Sequence, residues 1–82
     1  MTSAAPVPAA VCDGGTLDCN GGLLIAIRRA LNGIAVGAIL EIRSQAPSVE
    51  VDLPAWCELA GHPLELVARN GSESSYFVRR GR

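Results

Sequence analysis

The chain of 82 residues is long enough for one small domain and too short for two. Residues of the set AVILMFWYC make up 49% and charged residues 18%, below the roughly 25% of an average globular protein, which excludes a disordered charged tail. The net charge is −1, without the basic excess that drives phosphate neutralisation, so nucleic acid is not an expected partner.

The opening stretch MTSAAPVPAA has neither a basic region nor a long apolar core, so it does not read as a secretory signal. Its Pro and Ala content predicts a flexible tail over residues 1–10, with one domain over 11–82. No apolar run approaches the roughly 20 residues of a membrane span. All seven basic residues are Arg, read as compositional bias. The three cysteines, Cys12, Cys19 and Cys57, do not make a complete disulfide framework, and a cytoplasmic location would keep them as thiols. They also lack the short paired spacings of a zinc site, so no metal is expected.

The first element is a short strand between Val11 and Cys19, with a bend or bulge at Gly14-Gly15. A helix follows over residues 21–32, where Leu23, Leu24, Ile27, Ala30 and Leu31 share one face. Arg28 and Arg29 lie towards the other face, and Asn32-Gly33 stops the helix by tolerating left-handed backbone. A strand over residues 38–43 alternates Leu40 and Ile42 with Glu41 and Arg43, and Ala46-Pro47-Ser48 turns the chain. Asp52 is placed as the N-cap of a second helix with Pro54 in its first turn. A preceding turn from Ser48 could also belong to that helix. Leu53, Trp56, Cys57 and Ala60 form its apolar face, and Gly61 closes it. Residues 64–69 and 75–80 flank NGSES as a hairpin. The order β-α-β-α-β-β predicts a two-layer α/β sandwich: a mixed four-stranded sheet with two helices on one face.

Cys19 is the candidate nucleophile. It lies where strand gives way to helix, in L-D-C-N-G-G-L-L, where unpaired N–H groups and the helix dipole favour thiolate. Gly21 and Gly22 leave room for a partner to approach, while Asp18 opposes ionisation. Cys57, beside Trp56 on an apolar face, reads as buried and inert, and Cys12 as structural. Spacing leaves a Cys12–Cys19 disulfide open. His62 reads as a cap or surface residue, and Arg79, Arg80 and Arg82 as a solvated basic strand end that could steer an acidic partner. Tyr76 and Phe77 are neighbours and so face opposite sides of the sheet, unable to form one stacking platform for RNA.

The stretch V-D-L-P-A-W-C-E-L-A-G-H-P-L, Val51 to Leu64, resembles the second helix of the TusA/SirA/YedF sulfur carriers. Val36 to Ser48 resembles their strand and loop, and S-Y-F-V-R-R-G their last strand, so the likeness covers about residues 11–82. The family signature D-x-x-G-L-x-C-P-x-P is matched without a gap by Asp13 to Cys19, with Thr16 in place of Gly. Asn20-Gly21-Gly22 then stands where P-x-P is usual. This pairing is preferred to one that deletes the cysteine.

The resemblance implies a small sulfurtransferase-like carrier in the cytoplasm. It would take sulfane sulfur as a persulfide on Cys19 and pass it to an acceptor protein. Asp18, Asn20, Gly21 and Gly22 would contact partners, no cofactor would be needed, and the donor or acceptor would be a cysteine desulfurase, rhodanese or DsrE-like protein. The alternative is a non-catalytic interaction or regulatory domain of the same fold.

Overall fold

A computed structural model describes residues 6–82. Of the expected tail, residues 1–5 lie outside the described residues. The element order is β1 (Ala10–Gly15), a wide helical turn (Cys19–Leu23), α1 (Leu24–Asn32), β2 (Ile39–Ser44), α2 (Val49–Ala60), β3 (Leu64–Asn70) and β4 (Glu73–Arg79). The strands form one mixed sheet in the order β1-β2-β4-β3. β1 runs parallel to β2, and β4 runs antiparallel to both β2 and β3.

The core follows from strand alternation. Leu40 and Ile42 of β2 sit opposite Val78 and Tyr76 of β4, and all four point to one face. There they meet Leu23, Ile27 and Leu31 from the first helical segment and Val49, Leu53 and Cys57 from α2. The predicted sandwich is the observed fold. Phe77 takes the other face, opposite Glu41 and Leu66. It is still only 5% exposed.

Several boundaries differ from the sequence reading. β1 ends at Gly15 and does not reach Cys19. Its register slips between Asp13 and Gly15, the bulge expected at the glycine pair. Gly14 is needed there: a Cβ would stand 2.7 Å from Leu23 Cδ1 and 3.1 Å from the Arg43 carbonyl oxygen.

α2 starts three residues before Asp52, with Ser48 as N-cap. Asp52 is therefore a first-turn residue, and Pro54 lies inside the helix, where it has no N–H to give the Glu50 carbonyl four residues back. Burial of Val49 in the core holds that early start. Gly33 ends α1 in right-handed backbone, with its N–H on the Ala30 carbonyl at 3.1 Å, so left-handed backbone is not used there. Gly61 does use it, at φ 79°. The hairpin turn is only Gly71-Ser72, with Gly71 at φ 67°, the positive angle a two-residue turn demands of its first central residue.

β3 is parallel to β2, because each is antiparallel to β4. Both helices therefore connect parallel strands and run back across the sheet in the same direction. Their N-terminal ends lie together at one end of the sheet, and their C-terminal ends at the other.

Candidate functional site

Leu23 fixes the segment that carries Cys19. It is wholly buried and packs against the glycine bulge of β1. Between the end of β1 and that anchor, the Asp18 carbonyl accepts the N–H of Gly21 at 3.0 Å and of Leu23 at 3.2 Å. The second bond spans five residues and makes the turn wider than an α-helical one. Gly22 permits it, at φ 103° and ψ −1°. Gly21 is crowded for a different reason: the Asp18 carboxylate lies directly over it.

Cys19 is the first residue of this turn. It is half-buried, packed against the edge of the core and not sealed inside it. Regular helix begins only at Leu24. Cys19 thus lies outside the first turn of α1, beyond which the dipole fades.

The electrostatics run against ionisation. Partial burial pushes the Cys19 thiol above its ordinary value, and the carboxylates of Asp52 and Asp18 push it further. Asp18 precedes Cys19 in sequence. Asp52 arrives from the start of α2, and reading the sequence as a string of local signals missed it as a neighbour. The signal was the β-α-β-α-β order itself, which brings the starts of both helices to one end of the sheet.

Asn20 and Gly21 are exposed beside the thiol and Gly22 is half-buried. The stretch Asp18–Gly22 is therefore one continuous rim around Cys19. Cys57 is 2% exposed. Burial first, and then the charge of Cys19, pushes its thiol up to about 11, so at neutral pH it is an unreactive SH group. Cys12 is half-buried on β1 and is also raised, by burial and by Asp13. All three cysteines are free, so the Cys12–Cys19 pairing left open by spacing is not formed.

His62 stands away from this end. Its N–H caps the Cys57 carbonyl at 3.0 Å, and its Nδ1 accepts the Gly81 N–H at 3.0 Å. Arg79 and Arg80 also tie down local structure: Arg79 donates to the Gly37 carbonyl and Arg80 to the Ile34 carbonyl. Among the described residues no three His, Cys, Asp or Glu gather where a metal ion could be held. No helix among them is long and apolar enough to cross a membrane.

The arrangement offers a partly accessible sulfur on a glycine-opened rim, and the titratable groups acting on it are the carboxylates of Asp18 and Asp52, bases too weak to deprotonate a raised thiol efficiently. Proton removal must come from solvent or from a docked partner. Such a site can form and break bonds to sulfur and cannot by itself activate water or a phosphate.

A family model described as Sulfurtransferase TusA matches residues 16–80. The match takes in the Cys19 rim, both helices and β2 to β4, and begins after the Asp13–Gly15 bulge. No curated protein matches the chain.

Proposed function

Because the chain belongs to the TusA sulfurtransferase family, a family of sulfur carriers, we propose that it carries sulfane sulfur as a persulfide on Cys19. The observation that supports this most is that Cys19 is only partly buried, at the end of the sheet where both helices begin and close to Gly21 and Gly22. The Cys19 thiolate attacks the outer sulfur of a donor persulfide, R–S–SH. A new S–S bond forms at Cys19, the donor's S–S bond breaks, and the donor leaves as a thiolate. An acceptor thiolate then attacks the outer sulfur of Cys19–S–SH, and Cys19 departs as thiolate in turn. Two sulfur-transfer steps of the same kind need no oxidant and no cofactor.

The raised Cys19 thiol suits storage between the two steps. A more basic thiol is a poorer leaving group, so sulfur once loaded is released slowly to stray nucleophiles. Loading then depends on a partner that draws off the proton. Donors and acceptors of this chemistry are thiol proteins such as cysteine desulfurases, rhodaneses or DsrE-like proteins, working in the cytoplasm where thiols stay reduced.

A second reading is supported by the departure from C-P-x-P and by the carboxylates facing the thiol: a domain that keeps the fold and the docking rim without the chemistry. One experiment separates the two. The protein is treated with a low-molecular-weight persulfide and its intact mass measured, beside Cys19→Ser and Cys57→Ser. The carrier reading expects a gain of one sulfur atom that is lost in Cys19→Ser and kept in Cys57→Ser. No gain, or a gain kept in Cys19→Ser, supports the interaction domain.

A further inference from the structure

The end of the molecule opposite Cys19 carries a second surface of different chemistry. The C-terminal halves of α1 and α2 part there around an open cleft of about 430 Å³, lined by residues including Arg28, Leu31, Trp56, Leu59, His62 and Arg82. No Asp or Glu lines it. Among the described residues, Arg43, Arg69 and Arg79 each pair with a glutamate, while Arg28 and Arg82 are in no ion pair. Arg82 is held at the rim because its guanidinium rests over Gly61, where a Cβ would stand 3.4 Å from Cζ.

The carbonyls that end the helices do not occupy these two cations. The Cys57 carbonyl of α2 already accepts the N–H groups of Gly61 and His62, and in the last turn of α1 the Ala30 and Leu31 carbonyls accept the N–H groups of Gly33 and Ile34. His62 adds no acceptor either. Its Nδ1 is filled by the Gly81 N–H, which leaves the proton of the neutral ring on Nε2. Trp56 and Leu59 line the same cleft as these two guanidinium groups, and Leu59 is 84% exposed. An exposed Leu beside Trp and two unpaired Arg is the composition of an interaction site: an apolar anchor ringed by charge.

We infer that this cleft docks an acidic segment of a partner protein, its carboxylates on Arg28 and Arg82 and an apolar side chain between them on Trp56 and Leu59. Charge assigns the segment to this end. The Cys19 rim presents Asp18 and Asp52 and repels it. Docking here leaves the thiol end free, and it requires no reactive cysteine, so it stands apart from the sulfur-carrier reading.

Trp56 is the only tryptophan, so its fluorescence reports on the cleft directly. The full chain is titrated with a blocked peptide of sequence Glu-Asp-Leu-Phe-Glu-Asp, with the same peptide carrying Lys at every acidic position, and with sodium sulfate at matched ionic strength. The expected result is a saturable change with the acidic peptide alone, weakened about tenfold or more in Arg28→Glu and in Arg82→Glu. Circular dichroism checks that the variants are folded, and Arg28→Gln replaces a variant that is not. Equal binding of the Lys peptide, unchanged affinity in folded variants, or the absence of any saturable change overturns the inference. Saturation by sulfate as strong as by peptide also overturns it, reducing the cleft to a site for free oxyanions.

Discussion

The carboxylate of Asp18 lies over the α-carbon of Gly21, so close that a Cβ there would stand 2.8 Å from Oδ1. With Asp52 reaching the same region from α2, Cys19 faces negative charge from two elements. Removing either charge favours the thiolate. Asp18→Asn and Asp52→Asn are therefore each expected to move the pH midpoint of Cys19 alkylation downward, and the double variant furthest. Iodoacetamide rates measured against pH, with Cys12 and Cys57 replaced by Ser, check this. A midpoint that does not move in any of the three variants would show that burial alone sets the thiol.

Gly21 and Gly22 are adjacent but differ in what they tolerate. Gly21 has φ −90° and ψ 15°, open to any residue, and its obstruction is the mobile end of Asp18. Gly22 stands at φ 103° with nothing within 4 Å, so its constraint is backbone strain, not space. Gly22→Ala is expected to cost about 1–3 kcal/mol, and Gly21→Ala less than about 1 kcal/mol. Urea unfolding of both variants tests the order. Gly21→Ala carries a second expectation, since it pushes the Asp18 carboxylate aside and so shifts Cys19 in the same direction as Asp18→Asn.

Local pattern revealed most of the fold. The spacing of Leu23, Ile27 and Leu31 found the buried stripe of the first helix, and the alternation around Leu40 and Ile42 found β2. Asp52 and Pro54 misled because each is a strong helix-start residue taken alone. What decided the start of α2 was burial of Val49, a tertiary effect that local chemistry does not report. The same limit applies at the site. The position of Cys19 after the first strand was legible, whereas its helix-end environment was not, because the turn is widened by Gly22 and regular helix is delayed to Leu24. Asp52 reaches Cys19 only through the topology.

Burial separates two leucines of the same helix. Leu53 is wholly buried and Leu59 is 84% exposed. Leu53→Ala removes core contacts and leaves a cavity, at an expected cost of about 2–5 kcal/mol. That is a large share of what a domain this small has available. Leu59→Ala is expected to stay within about 0.5 kcal/mol. Thermal and urea unfolding measured side by side check the contrast. A large loss in Leu59→Ala would mean that this side chain is a structural support and not a free surface anchor.

His62 gives the fold a pH dependence with a defined sign. Burial first, then the charges of Arg82 and Arg80, hold its proton affinity below the ordinary value of 6.5. Trp56 packs beside it with ring centroids 5.8 Å apart, and Nδ1 must stay unprotonated to accept the Gly81 N–H. The unfolded chain therefore binds this proton more readily than the folded one, and stability rises with pH through the interval between the two values. The contribution is complete above 6.5 and is lost as pH falls through the lower folded value. Most carboxylates titrate further down, so the window belongs to His62. Urea midpoints measured across it are expected to fall with acidification in the native chain. They should stay flat in His62→Asn, whose side-chain oxygen keeps an acceptor for Gly81 without titrating. An equal slope in the variant would assign the pH dependence to other groups.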